Sequence, residues 1–337
     1  MSAAPAFDLA DAEWLAHRYV EGDDAVRFIH LPRSEHESQA FLIDSLLGAR
    51  PTSPDLPAAE LLAQPHGKLH FLFHSAFCGS TLLTRALSLP GVAMGLSEPT
   101  ILNDVVGFRR RGARPAAVAR AADLALRLLG RPFGPDEAVI VKPSNILNPL
   151  AELLLALQGQ GQALFLYAPL ETFLISVARK GLHCRAWVRE LLEGYVQDRF
   201  VDLGFAPEDY FRLTDLQVGA VGWLAQHQYF TALSAKLGSR MASLDADLLT
   251  TEPEAALAAV GRHYGLALDA AAIAAGPAFR RNSKTGAAYS PEARSSDYEA
   301  ARAAYGEEIG MVMVWAEAVA RNVGLSLAGP NPLAVQA

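Results

Sequence analysis

The chain carries only two cysteines, Cys78 and Cys184, among 337 residues. Two thiols make neither a disulfide framework nor a cysteine zinc site, and a reducing, cytoplasmic compartment fits. Positive charge is short as well. The 29 Lys and Arg stand against 36 Asp and Glu, for a formal net charge of −7. That balance argues against nonspecific nucleic-acid binding but leaves room for a local basic pocket. Met1 to Asp11 holds neither a basic segment nor an apolar one, so no signal peptide is expected. The longest apolar stretch, Ala163 to Ala178, contains Glu171 and is too short to span a bilayer comfortably. A soluble protein that does not enter a membrane is expected. Internal repeats and low-complexity linkers are also lacking.

What is present is a large apolar content, 51% of residues, enough to bury a sizeable α/β core. Its most informative stretch is Phe71-Leu72-Phe73-His74-Ser75-Ala76-Phe77-Cys78-Gly79-Ser80-Thr81-Leu82-Leu83. An apolar run passes through small residues into a helical pattern. That order predicts a buried strand, a tight turn and a helix whose first N–H groups face the turn at the positive end of the helix dipole. Phosphate or sulfate fits such a place. Gly79 permits close backbone approach, and Ser80 and Thr81 add hydroxyl donors. The alternative is an ordinary strand–helix turn with a hydroxyl cap. A full Walker A motif is excluded, because Gly79 is followed by Ser80 and the phosphate-binding lysine is absent. Cys78, inside the loop, is expected to serve there as a small residue rather than as a nucleophile.

Residues 1–65 are expected to form an N-terminal extension packed on a core domain of residues 66–330. In the extension, Val26 to Leu31 alternates like a strand. Ser34 to Leu47 has a helical pattern, with Ser34 and Glu37 at capping-box spacing. Beyond it, strands are expected at Leu69 to His74, Val92 to Leu96, Ala138 to Val141, Ala163 to Tyr167 and Met241 to Leu244. Helical patterns cover Val118 to Leu129, Leu150 to Leu157, Leu170 to Arg179, Val218 to Leu237, Glu254 to Tyr264 and Tyr298 to Val323, and Pro277 to Arg294 is expected to be a basic loop. Ser97 is predicted to cap a helix with Pro99 in its first turn. Strands alternating with helices predict a single α/β domain with a central parallel sheet flanked by helices, followed by a largely helical C-terminal half. Ligands of such sheets bind beyond the carboxyl ends of the strands. His74, Glu98 and Lys142 fall at or just past those ends, and Ser176 lies on the helix after the fourth strand.

Four segments, in order, resemble the sulfotransferase superfamily, particularly its divergent bacterial members. Ser75 to Leu83 resembles the loop that holds a 5′-phosphosulfate. Leu96-Ser97-Glu98-Pro99 is similar to the acidic segment after it. Leu164 to Pro169, running on through Ser176, resembles the strand and helix that hold a 3′-phosphate. Leu244-Asp245-Ala246-Asp247-Leu248-Leu249, with Glu252-Pro253, Val260 and Tyr264-Gly265-Leu266, resembles the late strand–helix signature. The resemblance implies a P-loop-like fold. It also implies transfer of a sulfuryl group from 3′-phosphoadenosine 5′-phosphosulfate (PAPS) to a hydroxyl or amine of a small-molecule acceptor, leaving adenosine 3′,5′-bisphosphate.

On that reading Ser75, Ala76, Phe77, Cys78, Gly79, Ser80 and Thr81 cradle the 5′ end of the cofactor. Ser176 and the basic loop residues Arg280, Arg281 and Lys284 hold the 3′-phosphate. Glu98 or His74 accepts the acceptor's proton, and Lys142 supplies charge near the transferring group. The bland alternatives are a first-turn acid for Glu98, a backbone-bonded strand-end histidine for His74, a snorkelling lysine for Lys142 and a helix-interior serine for Ser176. No metal ligand set is expected.

Two residues depart from the family pattern. Phe77 stands where the family usually carries Lys or Arg, and Ala168 stands where it carries Arg eight residues before the helix serine. Each lost cation would cost on the order of 1.5–3 kcal/mol of anion binding. Lys142, Arg179, Lys180, Arg280, Arg281 and Lys284 are the candidates to replace them. Two alternatives follow: a non-catalytic nucleotide-binding protein of the same fold, and a P-loop kinase. The acceptor and the oligomeric state, a homo-oligomer included, stay open.

Overall fold

The computed structural model describes residues 5–281 and 291–335. In chain order the elements are β1 (Trp14–Val20), β2 (Ala25–His30), α1 (Arg33–Ser38), α2 (Asp44–Leu47), β3 (Leu56–Pro57), α3 (Ala58–Leu61), β4 (Leu69–His74), α4 (Ser80–Ala86), β5 (Ala93–Ser97), α5 (Thr100–Arg110) and α6 (Pro115–Leu129). They continue with β6 (Ala138–Lys142), α7 (Ala151–Leu157), β7 (Ala163–Tyr167), α8 (Leu170–Arg179), α9 (Leu182–Gln197), α10 (Asp215–Leu237), β8 (Met241–Asp245), α11 (Ala246–Thr251), α12 (Pro253–Tyr264), α13 (Ala270–Ala274) and α14 (Pro291–Asn322).

Five strands make one parallel sheet in the order β5-β6-β4-β7-β8. Every residue of β4, β5, β6 and β7 is buried. This is what a sheet covered on both faces requires, and it explains the near-continuous apolar runs in the sequence. Phe71 and Phe73 stack at 5.5 Å on one face of β4, and Phe73 meets Phe230 of α10 at 5.4 Å. Phe165 of β7 stacks on the same Phe230 at 4.3 Å. Next to Phe71 in β4, His70 meets Tyr264 of α12 at 5.4 Å. The period-2 alternation of a strand separates these two sets. Burial pushes the His70 imidazole down to about 4, so it is a neutral core group.

The chain steps from β4 out to β5, returns to β6, and crosses β4 to reach β7. The direction of winding reverses beside β4, and such a reversal opens a crevice at the carboxyl ends of the strands. The free edge of β8 is covered by the C-terminal tail. Ser243 N–H donates to the Asn331 carbonyl at 3.0 Å, and Leu333 N–H donates to the Ser243 carbonyl at 2.9 Å. Unpaired backbone at a sheet edge is thereby satisfied.

Residues 14–57 form a separate antiparallel sheet in the order β1-β2-β3. Several local expectations change. The pattern over Ser34 to Leu47 breaks into two short helices, and α1 starts at Arg33 after Pro32 with no side-chain cap. The break lies where the chain is drawn into bonds with β5: Ser97 Oγ donates to the Ala40 carbonyl at 2.7 Å, and Leu42 N–H donates to the Ser97 carbonyl at 2.7 Å. Ser97 is therefore the last residue of β5 and not a helix cap, and α5 begins after Pro99. The final helix begins at Pro291, seven residues earlier than the apolar pattern suggested. No helix among the described residues is long and apolar enough to cross a membrane.

Candidate functional site

Beyond β4 the backbone turns through three left-handed residues, Ala76 at φ 69°, Phe77 at φ 52° and Gly79 at φ 75°, before α4 begins at Ser80. Gly79 adopts this φ freely. A Cβ there would meet only Leu249 Cδ2 at 3.8 Å, so the glycine serves the backbone angle and not a tight contact. Ala76 and Phe77 pay a strain of about 1–2 kcal/mol each, and such strain persists only where neighbours fix it. Here they do. Ser75 N–H donates to the Leu166 carbonyl at 3.1 Å, and Ser75 Oγ accepts from Ala168 N–H at 3.1 Å, so the loop is tied to the end of β7. Ala76 N–H donates to His74 Nδ1 at 3.2 Å, while His74 Nε2 lies 3.1 Å from the Pro143 carbonyl. That pairing assigns the ring proton to Nε2. Asn145 Nδ2 donates to the His74 carbonyl at 2.7 Å and leans on Gln226, fastening the strand end from below. Successive N–H groups around left-handed residues form a concavity that suits an anion.

β5 and β6 are neighbours with Ser97 opposite Lys142, so the residues at their ends meet. Glu98 takes φ 53°, and its N–H donates to the Lys142 carbonyl at 2.7 Å. Lys142 Nζ lies 2.5 Å from Glu98 Oε1, and His74 Nε2 lies 3.7 Å from the same oxygen. The lysine side chain is 1% exposed and the glutamate 18%, so the ammonium is dry while the carboxylate reaches the opening. Lys142 also sits 4.9 Å over the Phe41 ring. Burial pushes the Cys78 thiol up. The N–H and hydroxyl of Ser80, the Lys142 charge and the backbone of Ser75 pull the other way without overcoming it. Cys78 is thus a buried thiol, and Lys142 lies near enough to the loop for its charge to be felt there.

Phe77 is not a cation, but one lies against it. Lys180 Nζ sits 3.9 Å from the centroid of the Phe77 ring. Phe173 and Trp187 hold the same ring at 5.7 and 5.5 Å. Ser176 is buried on α8, and its Oγ lies 2.8 Å from the Tyr298 hydroxyl of α14. Arg179 pairs with Asp297 at 2.6 Å. Ala168 is fully buried, its carbonyl accepting from Trp223 Nε1 at 2.9 Å. A core contact thus occupies the place where a cation was looked for. Arg280 and Arg281 are exposed at the end of the turn Pro277–Arg280, which packs against α4. Lys284 lies outside the described residues.

His74, the Ser75–Thr81 loop, Glu98 and Lys142 are therefore brought to one end of the sheet, with Ser176 and Arg280 on elements packed around the loop. Two participants escaped the sequence reading. Tyr298 stands 122 residues from Ser176 and carries no motif. The role of Phe77 as a seat for Lys180 had no signal beyond the two residues' charge and ring. Elsewhere, Asp11, Glu13 and His30 converge closely enough to suit a cation, but Asp11 Oδ1 accepts from Glu13 N–H and Glu13 Oε1 from Arg33 N–H.

No protein-family model and no curated protein matches the chain. Among solved structures it is similar to the sulfotransferase domain from the curacin biosynthetic pathway, at 15% identity and a TM-score of 0.43, over 66% of this chain and 81% of that one. It is also similar to the sulfotransferase domain of the Synechococcus PCC 7002 olefin synthase, at 12% identity and a TM-score of 0.39, over 68% and 85%. A third likeness is to the sulfotransferase STF1 of Mycobacterium tuberculosis H37Rv, at 16% identity and a TM-score of 0.39, over 63% and 72%.

Proposed function

We propose that the chain is a sulfotransferase that uses PAPS and passes the sulfuryl group to a hydroxyl or amine of a small acceptor in the cytoplasm. One observation carries this reading: the dry Lys142–Glu98 pair beside a strained, anion-shaped loop, at the strand ends where the sheet reverses direction. A buried ion pair is weak as a stabilising device, because desolvation consumes most of its Coulomb gain. Its place in a crevice favours function.

The residues present fit an anionic cofactor. The loop backbone with Ser80 and Thr81 would hold the 5′ end, with Lys142 and Lys180 as fixed positive charges. Ser176, Arg280 and Arg281 would serve the 3′-phosphate. The cofactor, when bound, supplies the sulfuryl group. Glu98 accepts the acceptor's proton, its carboxylate being the partly exposed member of the pair. Lys142, bonded to that carboxylate, holds positive charge at the strand end. His74 positions the loop through Ala76. The kinase alternative lacks an acid at the end of β6, where Lys142 stands. The non-catalytic alternative draws on Ala168, whose backbone is committed to Ser75 and Trp223.

Thermal denaturation with ligand tests the reading. A ligand at 100 times its dissociation constant adds about 2.7 kcal/mol. Adenosine 3′,5′-bisphosphate should raise the melting temperature more than ATP·Mg²⁺ does. Stabilisation by ATP·Mg²⁺ alone would overturn the reading, and binding of the bisphosphate without turnover on any acceptor would favour the non-catalytic one.

A further inference from the structure

We infer that the solvent face of α14 is the seat of a second copy of this chain, the two helices crossing antiparallel about Val314. α14 is apolar on two opposite sides. Ala301, Ile309, Val312, Ala316, Val319 and Ala320 are buried where the helix packs on α8 and α10. On the other side Met311 is 64% exposed and Val314 68%. A surface helix turns polar residues to water, and one that is apolar all round is covered. The turn Pro207–Arg212 runs alongside. Phe205 meets Trp315 at 5.9 Å and Tyr210 at 5.8 Å, and Phe211, next to Tyr210, is 91% exposed. Apolar residues scattered singly over a surface need no cover, but these are grouped.

Gly310 points to the same face. It is exposed and lies inside the helix, where glycine costs stability relative to alanine. A Cβ on it would meet nothing within 4 Å. Among the described residues no contact uses the missing side chain. A second helix would use it, because the side chains at a crossing set how closely two helices approach.

Charge sets the direction of the pair. Glu307 and Arg321 are exposed and stand seven residues before and after Val314, nearly two turns each way on the same face. A two-fold axis at Val314 brings each Glu307 to Arg321 of the other copy, twice over. A parallel pair would set Glu307 against Glu307 and Arg321 against Arg321, and like charges repel. Within one chain Arg321 has Glu317 at 3.9 Å, in an exposed pair worth little. A lipid surface is the poorer occupant. Glu307, Glu308 and Glu317 outnumber Arg321, the one cation over residues 303–321, whereas helices that lie on membranes carry Lys and Arg.

Sedimentation equilibrium of the full chain from about 1 to 100 μM tests the proposal, with a urea midpoint for each variant in dilute solution. The wild type should dimerise. Val314→Glu sets two carboxylates at the axis and should raise the dissociation constant at least about a hundredfold with an unchanged urea midpoint. Glu307→Arg and Arg321→Glu should each weaken self-association about tenfold. Mixed in equal amounts, these two should recover wild-type affinity as a heterodimer, since opposite charges then meet at both ends.

A wild type that stays monomeric throughout overturns the proposal, and its pelleting with phosphatidylserine vesicles would give the face to lipid instead. A dimer that survives Val314→Glu uses another surface and also overturns it. If Val314→Glu fails to fold, the charge variants decide: no recovery in their mixture overturns the antiparallel pair. The sulfotransferase reading stands or falls separately from each of these outcomes.

Discussion

Glu98 accepts an ion-paired hydrogen bond from Lys142 while its own N–H donates to the Lys142 carbonyl, so the two residues clasp each other through both side chain and backbone. The backbone bond continues the β5–β6 ladder one residue past Ser97 and sets Glu98 at φ 53°. That angle delivers the carboxylate to the lysine. The pair is thus built by register. Shifting either strand by one residue would send both side chains to opposite faces.

Breaking this pair should be costly in two separable ways. Lys142→Ala leaves a carboxylate without its cation in a largely dry site, and about 3–5 kcal/mol of stability should be lost. Turnover should fall more than cofactor affinity, because charge near the reacting centre matters most in the transition state. Glu98→Gln should keep the fold and lower the single-turnover rate at least about a hundredfold. Urea midpoints and single-turnover rates check both. Equal rates in wild type and Glu98→Gln would remove Glu98 as the proton acceptor.

The hydroxyls at the start of α4 are expected to matter for ligand and little for fold. The double variant Ser80→Ala/Thr81→Ala should bind adenosine 3′,5′-bisphosphate more weakly while losing only about 1–2 kcal/mol of stability. Calorimetric titration beside a urea curve reads both quantities. Unchanged affinity would place the anion away from this loop.

Much of this architecture could be read from the residues. The runs that became β4 and β7 are dense in apolar residues and α8 keeps a helical apolar spacing between its polar residues, so pattern located them to the residue. Ser97 was misread because its hydroxyl suits a helix cap, while tertiary bonds to Ala40 and Leu42 hold it in β5. β1 went unpredicted because Trp14–Val20 places His17 and Arg18 in sequence, and both find acidic partners at Asp44 and Asp104 only after folding. The Lys142–Glu98 pair was legible as two strand ends but not as a contact, since only the strand order makes β5 and β6 neighbours. The Ser176–Tyr298 and Phe77–Lys180 contacts join segments with no pattern in common, and sequence periodicity carries no information about them.

The loop should also be sensitive to the strand beside its helix. A Cβ on Gly95 would lie 2.5 Å from the Thr84 carbonyl oxygen and 2.6 Å from Thr84 Cγ2. Backbone on α4 would have to move. Gly95→Ala should destabilise by about 1–3 kcal/mol and should weaken bisphosphate binding although residue 95 touches no ligand. A variant with wild-type urea midpoint and affinity would mean that α4 shifts freely.

Acid should weaken the fold through two buried histidines. Burial pushes the imidazoles of His36 and His227 down to about 3 from an ordinary value of 6.5. His36 packs against Phe133, and His227 stacks on Trp223 at 3.4 Å, so neither ring can be readily hydrated while folded. In the unfolded chain both regain ordinary basicity. Below about pH 6.5 the unfolded state therefore binds more protons than the folded one, and stability falls as pH falls. The contribution is fully present above the unfolded value and is lost progressively toward the folded value of about 3. Each histidine adds up to about 1.4 kcal/mol per pH unit to that slope. Urea midpoints across pH 7 to 4.5 should fall more gently for His36→Phe and for His227→Phe than for wild type, whatever the stability of each variant at pH 7. Parallel slopes in all three proteins would show that these two rings are protonated equally in both states.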